Sequence, residues 1–254
     1  MSLDITRILQ GWPFEPGQVT ARRIRGDDNR ELIQLRLDLG LIQMEITGRP
    51  DGQRPHGFES LLEHHEQQLE RYREQHGGEA GFQLYERDCE MLRAEAVMYY
   101  HRYLAEFVLE DYESVERDTR RNLRVMDFCL AHAADAGDRH ALEQFRPYVI
   151  MMCTRSRAHI ELGHNRPKAA LAAIQRGIRE IEAFLERYAP SEQAAANSAE
   201  LAVLHALAKE AEARIPVDPV RQLRTALDQA IQEERYEDAA ALRDQLRKLG
   251  QTET

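Results

Sequence analysis

The sequence predicts a mostly α, α+β fold, and three observations carry that reading. Apolar and polar residues alternate in two short runs before residue 48, as half-buried strands require. From Phe58 onward, apolar residues recur every three to four positions in successive stripes, as amphipathic helices require. Glycine and proline are sparse, 14 and 9 in 254 residues, which disfavours an all-β chain.

Composition narrows the function classes. Hydrophobic residues make up 43% of the chain, enough for a core. The 34 Lys and Arg against 44 Asp and Glu give a net charge of −10. Phosphate backbones repel such a chain, and the doublets Arg22-Arg23 and Arg120-Arg121 are too small for a nucleic-acid footprint, so direct nucleic-acid binding is disfavoured. No apolar run approaches the ~18–20 residues of a bilayer span, so no membrane partner is expected. The first residues lack a basic head and an apolar stretch, so no secretory signal is expected and the cytoplasm is the expected compartment. Cys89, Cys129 and Cys153 are odd in number and far apart, which excludes a disulfide scaffold and a CxxC metal site.

The chain reads in three parts. Residues 1–57 form a small antiparallel meander followed by a loop. The expected strands are 19–25, 31–39 and 41–47, with a turn at Gly26-Asp27-Asp28-Asn29 and an apolar face that includes Ile33, Leu35, Leu37, Leu39, Ile42, Met44 and Ile46. Three strands are marginal alone, so that face should dock on the helices that follow. Residues 48–57 hold two prolines and three glycines, which excludes helix and strand. This loop carries Arg49, Arg54 and His56. It reads either as a binding loop held by a scaffold or as a connector shaped by its glycines and prolines.

Residues 58–214 read as a helical hairpin array. Leu61, Leu62 and Leu69 mark a first helix, stopped at Gly77-Gly78. Leu92, Ala96, Tyr99, Tyr103 and Phe107 mark a second. A break near Glu110-Asp111 precedes a third with Val115, Leu123, Met126 and Leu130, expected to end at Gly137. Leu142, Phe145, Val149, Met152 and Ile160 form the next stripe, closed by Gly163. Leu171, Ile174, Ile178, Ile181, Leu185 and Tyr188 form the cleanest one. Ser191 is placed as an N-cap before a last stripe through Leu201, Leu204, Ala208, Ala211 and Ile215. The turns near residues 109–115 and 158–171 resemble those of tetratricopeptide units, over about residues 99–188, but lie about fifty residues apart against that family's ~34. The resemblance implies stacked α-hairpins with a groove for a peptide or helix. A plain helical bundle is the alternative.

Residues 215–254 carry the most specific signal. Asp218-Pro219 starts a helix. Leu223, Leu227, Ala230 and Ile231 are expected to face Ala239, Leu242, Leu246 and Leu249 across a turn at residues 234–236, a helical hairpin. The runs Ala230-Ile231-x-Glu233-Glu234, Tyr236-Glu237-x-Ala239-Ala240 and Leu242-Arg243-Asp244-x-Leu246 resemble the UVR motif of the repair proteins UvrB and UvrC and of ClpC-type chaperone ATPases. The whole chain looks like a stand-alone UvrB/UvrC motif-containing protein. The resemblance implies a hairpin that mediates protein–protein contacts, with Tyr236, Ala239, Leu242, Arg243 and Leu246 as contact residues. It implies a protein partner, a UVR-containing one included. Two contexts come with it, nucleotide-excision repair through UvrB or UvrC and adaptor service to a ClpC-type ATPase.

The sequence departs from those larger proteins. It has no GxxxxGK[ST] phosphate loop, no basic nuclease region and no CxxC pair. His64-His65, flanked by Glu63 and Glu66, point about 100° apart on a helix and do not chelate one ion easily. No GxSxG or other nucleophile motif occurs. The expectation is a non-catalytic interaction protein, an adaptor or scaffold, with no cofactor and no metal.

Overall fold

A computed structural model describes residues 4–188, 195–216 and 219–250. Ser191 and Asp218, and the side chain of Leu249, lie outside the described residues. The chain divides into two compact units, residues 1–209 and 210–254.

The first unit opens with one helical turn, α1 (Thr6–Leu9), and the strands β1 (Ala21–Arg25), β2 (Glu31–Arg36) and β3 (Leu41–Glu45). They form an antiparallel meander in the order β1-β2-β3, with Arg23 opposite Ile33 and Ile33 opposite Met44. Asn29, at φ 66°, turns the first hairpin inside the expected Gly-Asp-Asp-Asn cluster.

The strands are shorter than their alternation predicts. β2 stops at Arg36 because Leu37 and Gly40 exchange backbone hydrogen bonds and close the second turn. Leu37 and Leu39 therefore leave the apolar face, and Leu39 is 90% exposed. The centre of β2 also departs from alternation, since Leu32, Ile33, Gln34 and Leu35 are all buried. Ile33, Leu35 and Met44 form one core with Ala105 of the helices. The buried Gln34 accepts from Arg22 Nε (2.8 Å) and donates to Gln43 (2.9 Å), which satisfies its amide across three strands.

The helices follow: α2 (Leu61–His76), α3 (Glu86–Val108), α4 (Tyr112–His132), short α5 (Ala136–His140), α6 (Arg146–Gly163), α7 (Pro167–Tyr188) and α8 (Ala199–Ala213). Local chemistry sets their ends. The Ser60 hydroxyl accepts from the Glu63 amide to start α2, and Gly77 in the left-handed region (φ 73°) stops it. Asp111 caps α4, while Glu110 at φ 58° makes the sharp turn from α3. α4 ends at His132 rather than at Gly137, because the Leu84 amide donates to the His132 carbonyl and the Ala134 amide to that of Leu84. Gly137 instead lies inside α5, whose N-cap is Asp135.

α3 packs on α4, α4 on α6, and α6 on α7. A core of Leu62, Leu69, Leu92, Val125, Met126 and Val149 joins α2, α3, α4 and α6. Phe145, expected in that stripe, is 53% exposed, because a 3-10 turn (Glu143–Phe145) precedes α6 and rotates it outward.

Ion pairs tie the meander and its loop to the helices. Arg102 is fully buried. Its Nε and Nη2 donate to the two oxygens of Asp118 (2.6 and 2.9 Å), and its Nη1 to the carbonyls of Glu45 (3.0 Å) and Gly48 (2.8 Å). One guanidinium thus joins α3, α4 and the end of β3. Arg117 donates to Glu106 (2.9 Å) and Asp118 (2.8 Å). The buried Glu95 accepts from the Leu61 amide (2.9 Å), pairs with Arg121 and lies 3.4 Å from Arg49. The guanidinium carbons of Arg102 (4.9 Å) and Arg121 (4.1 Å) both lie over the Tyr99 ring.

The second unit contains the helices α9 (Pro219–Gln232) and α10 (Tyr236–Gly250), packed on each other as a hairpin. Among the described residues, no helix is long and apolar enough to cross a membrane.

Candidate functional site

The C-terminal hairpin turns in three residues. Glu234 takes φ 57°, and the Arg235 amide donates to the Ala230 carbonyl (2.8 Å). Arg235 pairs with Glu233 (2.7 Å) of the turn and Asp238 (2.6 Å) of α10. Ala230 is fully buried and Ala239 is 8% exposed. Small side chains at these two positions suit close backbone approach beside the turn. Ile231 does not share the inner face and is 51% exposed, because neighbouring helical residues point about 100° apart and Ala230 takes the inner position.

The candidate contact residues therefore sit differently. Ala239 is spent inside the hairpin. Leu242 and Leu246 are half-buried, and Arg243 is exposed and pairs with its neighbour Asp244 (3.2 Å). Tyr236 is 67% exposed at the tip. The exposed tyrosine and the half-covered leucines are apolar area that a second chain can cover.

The loop at residues 48–57 is held to the helices at its start. Arg49 pairs with Asp51 (2.9 Å) and Glu95, and the Gly48 carbonyl accepts from Arg102. Arg54 and His56 are exposed. His56, at φ 51°, stacks on His64 (4.2 Å between centroids), which lies 5.2 Å from the ring of His65. Burial holds His64 below its ordinary value, and His56 and His65 add to that. His65 points elsewhere, with Nδ1 2.9 Å from Gln68 Oε1. Among the described residues, no group of three or more His, Cys, Asp or Glu side chains is arranged to hold a metal ion.

A cavity of about 530 Å3 lies between α3 and α6, floored by Asn122 and Met126 of α4. Its wall carries Tyr100 and Tyr103 from α3, Tyr148 from α6 and Phe145 just before it. Glu200 of α8 and Arg93 of α3 supply its charges. Sequence reasoning placed Tyr103 in the core stripe and did not single out Tyr100 or Tyr148. The available signal was Val97 with Tyr100, a bulky pair three apart and off the core stripe of α3, and Tyr148 three residues after Phe145.

Comparison with known proteins adds one family. The model of the UvrB/uvrC motif matches residues 218–252, a segment that contains the α9–α10 hairpin. The chain thus contains a UVR motif. Neither curated proteins nor solved structures give a match.

Proposed function

We propose that this chain is a non-catalytic adaptor or scaffold that grips a partner protein with its α9–α10 hairpin. The observation that carries this reading is the coincidence of the motif match at 218–252 with a hairpin whose Tyr236 is exposed and whose Leu242 and Leu246 are only half covered. Two helices bury only a narrow stripe between them, and leucines at its edges gain by burying more area, at roughly 25 cal/mol per Å2. A partner hairpin of the same kind fits, because it offers a matching stripe. That favours another UVR-bearing protein, of the UvrB, UvrC or ClpC type, as the first partner to test.

The test is capture by a photocrosslinking residue at position 236 of the full chain, followed by titration against purified UVR-bearing candidates. A discrete crosslink, lost in Leu242→Asp with Leu246→Asp, is the expected result. Recovery of the same partners by a chain ending at Arg214 overturns the reading. Ultraviolet survival of a deletion strain and the response of a ClpC-type ATPase separate the repair and quality-control contexts.

A further inference from the structure

The α3–α6 cavity has no part in the hairpin reading, and its chemistry selects a ligand class. Its volume, about 530 Å3, lies within the roughly 300–1,000 Å3 of small-molecule sites. Tyr100 stands perpendicular to Tyr103 (5.5 Å, 89°) and 6.3 Å from Tyr148. Tyr100 is 37% and Phe145 53% exposed, so the fold leaves two large rings of the wall uncovered.

The charges are unbalanced. Glu200 faces the cavity; burial first, then Tyr100 and to a smaller degree Glu200, push the Tyr148 hydroxyl up to about 12 against the opposing Arg155. The cation on the wall, Arg93, is already held by Asp138 at 2.5 Å. A second hollow shares Arg93 and is bordered by Glu86, Asp135 and Asp138. An anionic ligand in the α3–α6 cavity would meet the Glu200 carboxylate and find Arg93 occupied. The Glu200 carboxylate accepts from the Ser198 hydroxyl (2.9 Å), a neutral partner that leaves its charge in place, and a neutral apolar ligand would strip its remaining water and return nothing. An organic cation satisfies both the carboxylate and the negative faces of the rings. The groove also closes further along. Phe107 of α3 meets His159 of α6 (6.0 Å) and lies under the Arg155 guanidinium (4.3 Å). That closure favours a compact small molecule over an extended peptide.

We propose that the cavity between α3 and α6 is a binding site for a small organic ammonium ion, held by Tyr100, Tyr148 and Glu200. The cationic head rests on the rings and beside the carboxylate, and the apolar remainder lies on Met126 and Leu142.

The test compares choline with its uncharged isostere 3,3-dimethyl-1-butanol by calorimetry or ligand-observed NMR on the full chain. Choline is expected to bind at least tenfold more tightly. Glu200→Gln is expected to bring choline close to the level of the isostere, and Tyr100→Ala to weaken it at least fivefold. Both sites are partly exposed, so unchanged thermal melting verifies that the variants fold; if Tyr100→Ala melts early, Glu200→Gln decides. Equal affinity for the two compounds, binding of neither, or choline affinity unaltered by Glu200→Gln each overturns the proposal.

Discussion

Removal of Asp118 tests the reading that one buried guanidinium holds the meander to the helices. Asp118 and Arg102 are both fully buried. Replacing Asp118 by Ala takes two hydrogen bonds of 2.6 and 2.9 Å from the buried Arg102, which is left with two backbone carbonyls and with Glu106 at the longer distance of 3.7 Å. Arg117 also loses a partner, although it is partly exposed and keeps Glu106. Breaking one side of a buried ion pair costs about 3–5 kcal/mol. That is a large fraction of the roughly 5–15 kcal/mol by which domains are stable. The assay is urea unfolding followed by circular dichroism, read as a midpoint shift at constant slope. The double variant Arg102→Met with Asp118→Leu removes both charges at similar volume. It is expected to recover most of the loss, although the carbonyls of Glu45 and Gly48 then lack their donor. A cost below about 1 kcal/mol for Asp118→Ala, or a double variant no better than the single one, would refute the argument.

Glu106 gives a pH prediction. Burial first, then the Asp118 carboxylate, push its carboxyl from 4.5 up to about 8, against the opposing Arg117 and Arg102. A folded-state value above the unfolded one means the fold binds the proton more tightly, so this contribution is fully present below about pH 4.5 and is lost as pH rises towards 8. Stability is expected to fall across that window by up to about 1.4 kcal/mol per pH unit, and Glu106→Gln to flatten the slope; a slope unchanged in the variant counts against it. Gly177 packs α7 against α6 so closely that an added Cβ would lie 2.7 Å from Thr154 Cγ2 and closer still to its Oγ1. Gly177→Ala is expected to cost about 1–3 kcal/mol by overpacking, and Thr154→Ala in the same chain to return part of it, since the Thr154 Cβ at 2.9 Å stays, as thermal melting will show. Tyr236→Ala, at an exposed position, is expected to leave stability within about 0.5 kcal/mol while reducing partner capture, which separates a contact role from a structural one.

The helices were legible because each apolar stripe repeats at the helical period and each end carries its own signal. Gly77, Asp111 and Gly163 each lie at or beside a helix end that their chemistry suggests. Where the ends depend on distant chain, legibility failed. α4 stops at His132 because Leu84 binds its carbonyl from forty-eight residues away in sequence. Leu37 and Leu39 continue the alternation of β2, yet backbone hydrogen bonds of a turn remove them from the strand. The hairpin was readable as a motif, but the division of its apolar residues was not. Which of Ala230 and Ile231 points inward depends on the phase of α9 against α10.

The sequence by itself determined the class of fold, the order of its elements and the hairpin that carries the UVR motif, because periodicity, capping and turn chemistry are local. Only the tertiary structure decided that Arg49 and Arg102 tie the loop and the end of β3 to buried carboxylates, and that tyrosines from α3 and α6 meet around one cavity with Glu200. Those partners are far apart in sequence. Their meeting depends on how the helices stack, and spacing along the chain does not encode that.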